Sequence, residues 1–220
     1  QLPGAGWGAT AVSHDDRQVA LVRYVSANQS ELWLLDLASG ERRQVLPAPG
    51  DLPRVTYQAS SFSADDRGLL LVTDRSGEFQ ELQRYDLATG QFSRITSHIP
   101  WDVDGGHVSA DGRLIAARSN EDGLGRLRLF DGVTLMELPR PALPEGTVGR
   151  VRFHPRSGEL AISVNGATGP SQLHTLDPRS NTLTAWTQPL SAPGVQPSRF
   201  AGQTVVRWPS FDGRQISGLL

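Results

Sequence analysis

The chain has 220 residues, with 21 basic and 23 acidic side chains and no cysteine, so these residues form no disulfide and supply no thiol for catalysis. The net charge of −2 gives no electrostatic reason to bind nucleic acid. No apolar run reaches about 18 residues, so no segment is predicted to cross a membrane. We expect a cytoplasmic location, because neither cysteine pairs nor a recognisable signal peptide point elsewhere.

One unit is written four times along the chain. Each copy opens with a turn sequence, SHDDR, SADDR, SADGR or HPRSG, followed by an apolar run, and the copies start 50, 46 and 45 residues apart. The starting residues are Ser13, Ser63, Ser109 and His154. A second turn follows 22 or 23 residues after each first turn, and it begins with Asp36, Asp86, Asp131 and Asp177. A fixed period of this length indicates a repeat architecture.

Four short runs in each unit predict strands. In the second unit the runs are Tyr57–Phe62, 69–73, Glu81–Asp86 and 92–96, and they are rich in residues that favour strands. Turn-forming sequences separate the runs, and no segment keeps apolar residues at helical spacing for three turns. The predicted fold class is all-β, with four four-stranded blades of a β-propeller. A β-sandwich is the alternative, although it does not require the same turn in every unit.

The repeated carboxylates in the turns have two interpretations. Asp and Ser side chains accept backbone amides and fix tight reversals, which predicts a structural role at each strand junction. The pair Asp65 and Asp66 could instead suggest a calcium loop, but such a loop needs five or more oxygens from one short segment. Recurrence of the motif in every unit favours the structural interpretation.

The end of the chain departs from the repeat. A Pro-, Ser- and Gly-rich stretch precedes VVRWPSFDGRQISGLL, which predicts a hairpin around Asp212 and Gly213. A strand, then Ser-x-Asp-Gly, then Ile-x-Gly after propeller blades resembles the prolyl oligopeptidase family, and Ser210, Ile216 and Gly218 complete the match. The segments LPEGTVGRVRF and TGPSQLHTLD resemble the acylaminoacyl-peptidase branch, without separating it from the oligopeptidases.

The resemblance implies a specific domain organisation. Residues 1–198 would be about four blades of a seven-bladed ring, and residues 199–220 would be a linker and the first hairpin of an α/β-hydrolase domain. That domain, as partner of the blades in the same protein, would hydrolyse short peptides through a Ser-Asp-His triad beyond Leu220. The 220 residues alone, as an incomplete ring, are then expected to be inactive and not to fold autonomously.

The residues of the chain offer little chemistry of their own. There is no G-x-S-x-G elbow, and the histidines form no zinc pattern, so no catalytic, cofactor or metal residue is assigned. Arg75, Glu78 and Arg150 could bind a peptide terminus, or they could be ordinary solvated loop charges. His14 beside Asp15 could form a dyad, although adjacent turn residues usually diverge. A non-enzymatic propeller that binds protein partners is the rival function, and a homo-oligomer is compatible with either.

Overall fold

The computed structural model describes residues 4–51, 54–167, 169–188, 194, 196 and 199–220, which form seventeen β-strands. The first blade contains β1 (Trp7–Val12), β2 (Gln18–Ser26), β3 (Gln29–Asp36) and β4 (Arg42–Leu46). The second contains β5 (Tyr57–Phe62), β6 (Gly68–Thr73), β7 (Glu81–Asp86) and β8 (Phe92–Arg94). The third contains β9 (Val103–Val108), β10 (Leu114–Glu121) and β11 (Leu124–Asp131). The fourth contains β12 (Thr147–Phe153), β13 (Leu160–Asn165), β14 (Gln172–Asp177) and β15 (Thr182–Ala185). A separate hairpin consists of β16 (Val205–Pro209) and β17 (Gln215–Leu219).

Each blade is an antiparallel meander in which the strands pair in chain order. The first strands of consecutive blades, β1, β5, β9 and β12, contact one another, so they line the inner side of the arc. This is the arrangement of a β-propeller, and it confirms the predicted all-β fold. The four strands predicted in the second unit agree with the observed ones within two residues.

Alternating side chains in the second blade pack against two different neighbours. All six residues of β6 are buried. Leu69 and Leu71 join residues of the first blade in one apolar cluster, whereas Leu70 and Val72 join residues of the third blade in another. Because successive side chains of a strand point to opposite faces, a continuous apolar run is what a sheet covered on both faces requires.

The same packing recurs between the third and fourth blades. Ala116 of β10 contacts the fourth blade's cluster, which contains Val148, Leu160 and Ile162. Its sequence neighbours Ile115 and Ala117 belong to the cluster between the second and third blades. The core of the described residues is therefore three apolar layers between four sheets, and it is not a layer between two stacked sheets.

The outer edge of the third blade differs from the prediction of four strands. In place of a fourth strand, Glu137 forms an isolated bridge to Phe130, and the amide of Leu138 donates to the Leu129 carbonyl at 2.8 Å. Pro139 and Pro141 follow at once. Since proline has no amide hydrogen to donate to a ladder, the pairing ends there.

The first turn of each of the first three units has one hydrogen-bond pattern. In the second unit the Ser63 hydroxyl donates to Asp65 Oδ1 at 2.5 Å and accepts from the Gly68 amide at 2.9 Å. The equivalent bonds occur at Ser13 and Ser109. The hydrogen bond from serine lowers the pKa of each turn carboxyl, in the second unit that of Asp65. The carboxylates are thus used inside the turns, as the structural interpretation predicts.

The second turn of each unit is held by its first aspartate. Asp36 Oδ1 accepts from the amides of Ala38 and Ser39 at 3.0 and 2.8 Å, and Asp86 makes the same bonds in the next blade. The turn ends on a left-handed residue, which is Gly40 with φ 71° in the first blade. These hydrogen bonds from backbone amides lower the pKa values of Asp36 and Asp86.

The division into residues 1–198 and 199–220 stays a prediction. Most of the segment from 189 to 198 lies outside the described residues. The hairpin of β16 and β17 forms its own two-stranded sheet, with Trp208 opposite Ile216.

We predict that Leu70→Ala and Leu71→Ala each lower the free energy of unfolding by about 2–5 kcal/mol. The reason is that both side chains are almost fully buried, although they point to opposite faces. Urea denaturation measures the effect, and Leu173→Ala is the matched control because Leu173 is 54% exposed. The control should change stability by less than about 0.5 kcal/mol. A neutral result at either Leu70 or Leu71 would contradict packing on both faces.

We also predict an acid-sensitive component of stability from the turn aspartates. The folded pKa values of Asp36 and Asp86 lie below 3.8, the ordinary value of an aspartate, so their stabilising effect is complete above about pH 4 and is lost as the pH falls through the folded values. The double variant Asp36→Asn/Asp86→Asn should lose less stability than the wild type between about pH 5 and pH 3. Urea titrations at each pH provide the measurement. Asp16→Asn is the control, since Gly112 occupies the same place in the third blade; an equal effect there would refute the assignment.

Candidate functional site at the central channel and the loop face

The loops that join second to third strands lie on one face of the arc. In the first three blades these are residues 27–28, 74–80 and 122–123. Because strands alternate in direction, the links between blades and the beginnings of the first strands lie on this face too. We call it the loop face. The opposite face, the turn face, carries the turns with Asp15, Asp65 and Asp111.

The terminal hairpin rests on the loop face. Arg207 of β16 forms an ion pair with Asp122, in the loop of the third blade. Leu219 of β17 lies beside Gly123 in the same loop. Arg214, in the turn of the hairpin, lies 3.3 Å from Glu78 in the loop of the second blade. These three contacts place the hairpin over the second and third blades.

A cavity of about 310 Å3 lies along the inner strands of the arc. The first two blades contribute neutral polar groups, including Thr10, Gln58 and Ser60. The third and fourth blades contribute the ionisable groups, and these are Asp104, His107, Arg118, Arg150 and Arg152. The lining residues run from 58 to 60 on β5, from 104 to 107 on β9 and from 149 to 152 on β12, so the cavity extends along the middle of the inner strands.

Arg118 crosses from the third blade to the fourth. Its Nε donates to Asp104 Oδ1 at 2.7 Å, and its Nη1 donates to the Gly149 carbonyl at 2.6 Å. Arg118 is paired in register with Gly105 of β9, which has no side chain on that face of the sheet.

His107 faces two of these guanidinium groups. Arg152 Nη1 contacts His107 Nε2, which accepts as the neutral ring does. Burial, the largest cause, and the positive charges of Arg152 and Arg118 together lower the pKa of His107 from 6.5 to about 4. The ring is therefore uncharged at neutral pH, so the positive charge of the cavity comes from the arginines.

The three charged residues named from the sequence lie in different surroundings. Arg75 is held by Asp51 at 3.3 Å and by the ring of Phe92, 4.3 Å from its guanidinium carbon, so it is a structural residue. Glu78 contacts the hairpin through Arg214. Arg150 lines the cavity and is exposed to it. Glu78 and Arg150 are both exposed, and binding of a peptide terminus by either of them stays a prediction.

The His14–Asp15 dyad does not form. His14 Nδ1 lies 2.8 Å from Oδ1 of Asp66, in the next blade, while Asp15 bonds to Ser13 within its own turn. Within the described ranges, no three His, Cys, Asp or Glu side chains converge in a group that could hold a metal ion. The same residues include no helix long and apolar enough to cross a membrane.

Sequence reasoning missed most of the charged cavity. Asp104 lies at the end of a predicted link between blades, and His107, Arg118 and Arg152 looked like ordinary exposed members of strands. One signal was available: Gly105 and Gly106 interrupt a strand between two ionisable residues, and glycine in a strand often marks a close approach. In the structure, a side chain at Gly106 would collide with Leu82 of the second blade.

The fold and the cavity together define an arc of propeller blades with a charged central channel. No protein-family model and no curated protein matches the chain. Solved structures do match it. A prolyl endopeptidase structure has a TM-score of 0.77 at 12% identity, over 94% of this chain and 30% of its own. Puromycin hydrolase has a TM-score of 0.78 at 19% identity, over 96% of this chain and 33% of its own.

A third solved structure gives the same result. Prolyl oligopeptidase B from Galerina marginata has a TM-score of 0.75 at 14% identity, over 97% of this chain and 31% of its own. The chain therefore spans about a third of the length of these peptidases. At such low identities the likeness establishes the fold, and it agrees with the resemblance to the prolyl oligopeptidase family drawn from the repeats and the hairpin.

Proposed function

We propose that this chain is the propeller portion of a serine peptidase of the prolyl oligopeptidase family. The hydrolase domain of the same protein would sit on the loop face, and the propeller would control which peptides reach its Ser-Asp-His triad. The observation that carries the proposal is the position of the terminal hairpin. It packs on the loop face through Arg207 and Arg214, and its sequence is the part that resembles the start of a hydrolase domain.

Control of access in this arrangement is a steric effect. In a complete ring, the passage between the inner strands, where this arc has a cavity of about 310 Å3, would admit a short extended chain and exclude a folded domain. The acyl transfer itself would belong to the hydrolase domain, where a serine attacks the peptide carbonyl and water hydrolyses the ester. This division of labour accounts for a propeller sequence that contains no G-x-S-x-G elbow.

The proposal is tested on the full-length protein in two steps. A fluorophosphonate probe should label one serine, which peptide mapping should place outside these 220 residues. Short unstructured peptides should be hydrolysed, while a folded protein that contains the same sequence should resist, because it cannot pass between the blades and the hydrolase domain. Unfolding that protein before the assay is the control for the intrinsic susceptibility of the bond.

Two results would contradict the proposal. If no serine is labelled and no peptide is cleaved, the rival function, a scaffold that binds protein partners, is favoured. If folded and unfolded substrates are cleaved at equal rates, the peptidase assignment survives but the gating role is wrong. The branch within the family, the cytoplasmic location and the oligomeric state remain predictions.

A further inference from the structure

The charged side chains that line the central cavity are mostly positive, which the net charge of the chain does not predict. Three guanidinium groups line it, from Arg118, Arg150 and Arg152, against the single carboxylate of Asp104. His107 is neutral there at physiological pH. The chain as a whole has a net charge of −2, so the sign of the local charge is opposite to that of the protein.

The other ionic clusters of the described residues differ from this one. The buried guanidinium of Arg128 is paired with Glu121 at 2.5 Å and with Glu137 at 2.8 Å. Arg94 is paired with the buried Glu81 at 2.5 Å. In these clusters the carboxylates match or outnumber the guanidinium groups. The cavity cluster lacks that balance.

The donors of the cavity cluster converge on one space. Arg118 uses Nε and Nη1 for Asp104 and Gly149, which fixes its position and leaves Nη2 for a further acceptor. Arg150 and Arg152 are two residues apart on β12, so they project to the same side of that strand. The Arg152 guanidinium is held at the channel by His107 and by the Val151 carbonyl at 3.0 Å.

We propose that Arg118, Arg150 and Arg152 form a binding site for a carboxylate group of a peptide in the channel. A guanidinium presents two parallel N–H donors that match the two oxygens of a carboxylate. The peptide as ligand rests on the proposed function, whereas the binding of a carboxylate rests on the charges of the cavity alone. The carboxylate is either the C-terminus of a peptide or an Asp or Glu side chain.

Calorimetric titration of the full-length protein tests the site without catalysis. Three acetylated tripeptides of D-residues, which resist cleavage, separate the two sources. They are D-Ala-D-Ala-D-Ala with a free C-terminus, the same peptide as an amide, and D-Ala-D-Asp-D-Ala as an amide. The neutral amide should bind at least about tenfold more weakly than one or both of the acidic peptides. The acidic peptide that binds identifies the source of the carboxylate.

Two charge-matched variants separate a local site from a general effect of charge. Arg152→Gln should weaken binding of the acidic peptide about tenfold, and Arg150→Gln should act in the same direction. Arg156→Gln removes the same charge from an exposed residue in the β12–β13 turn on the turn face, and it should leave the affinity within about twofold. Melting temperatures of the three variants check that each protein is folded.

The His107 ring provides an independent readout. It faces Arg152 of β12, Arg118 of β10 and Asp104 of its own strand, so a bound carboxylate would offset the positive charges that lower its pKa. The His107 pKa measured by NMR should therefore rise when the acidic peptide binds, with His107→Gln used for assignment. The site is refuted if the neutral amide binds equally well, if Arg156→Gln weakens binding as much as Arg152→Gln, or if the His107 pKa does not move. Carboxylate binding without a labelled serine would refute the peptidase and keep the site.

Discussion

Burial of both faces of the inner blades is the constraint on which the rest of the structure depends. Leu69 and Leu71 pack toward one neighbour, and Leu70 and Val72 pack toward the other. A strand of this kind has no face left for solvent, so its ends and its edge are the places where polar chemistry can occur. The innermost edge borders the channel, and the strand ends form the loop face and the turn face.

Charged side chains form different kinds of contact on the turn face and on the loop face. On the turn face, carboxylates such as Asp65 and Asp86 are consumed by hydrogen bonds inside their own turns, and they lock each reversal. On the loop face and in the channel, charged groups reach other elements: Arg118 crosses to the fourth blade, and Arg207 and Arg214 join the hairpin to the blades. Recurrent carboxylates therefore maintain the turns, and the contacts of Arg118, Arg207 and Arg214 mark the surfaces where function is expected.

The difference between motifs that repeat and contacts that occur once explains which features could be predicted from the sequence. The turn motifs repeat, so the blades, their strands and the structural role of Asp36 or Asp111 followed from local chemistry and period. The cavity cluster does not repeat: His107 and Arg152 come from adjacent blades, 45 residues apart in the chain, and only the packing of those blades brings them together. The third blade's short outer edge was also missed, because the prolines that end it lie after the predicted strand.

The central claim is that the hairpin lies on the loop face, because its position determines which face of the propeller a hydrolase domain would cover. The most direct measurement is chemical crosslinking of the variant Glu78→Cys/Arg214→Cys with a short bismaleimide, in a chain that has no other cysteine within these 220 residues. We expect a linked pair of peptides in the mass spectrum of this variant. We expect none from the variant Asp111→Cys/Arg214→Cys, in which one cysteine lies on the turn face. Linkage of the second pair and not the first would contradict it.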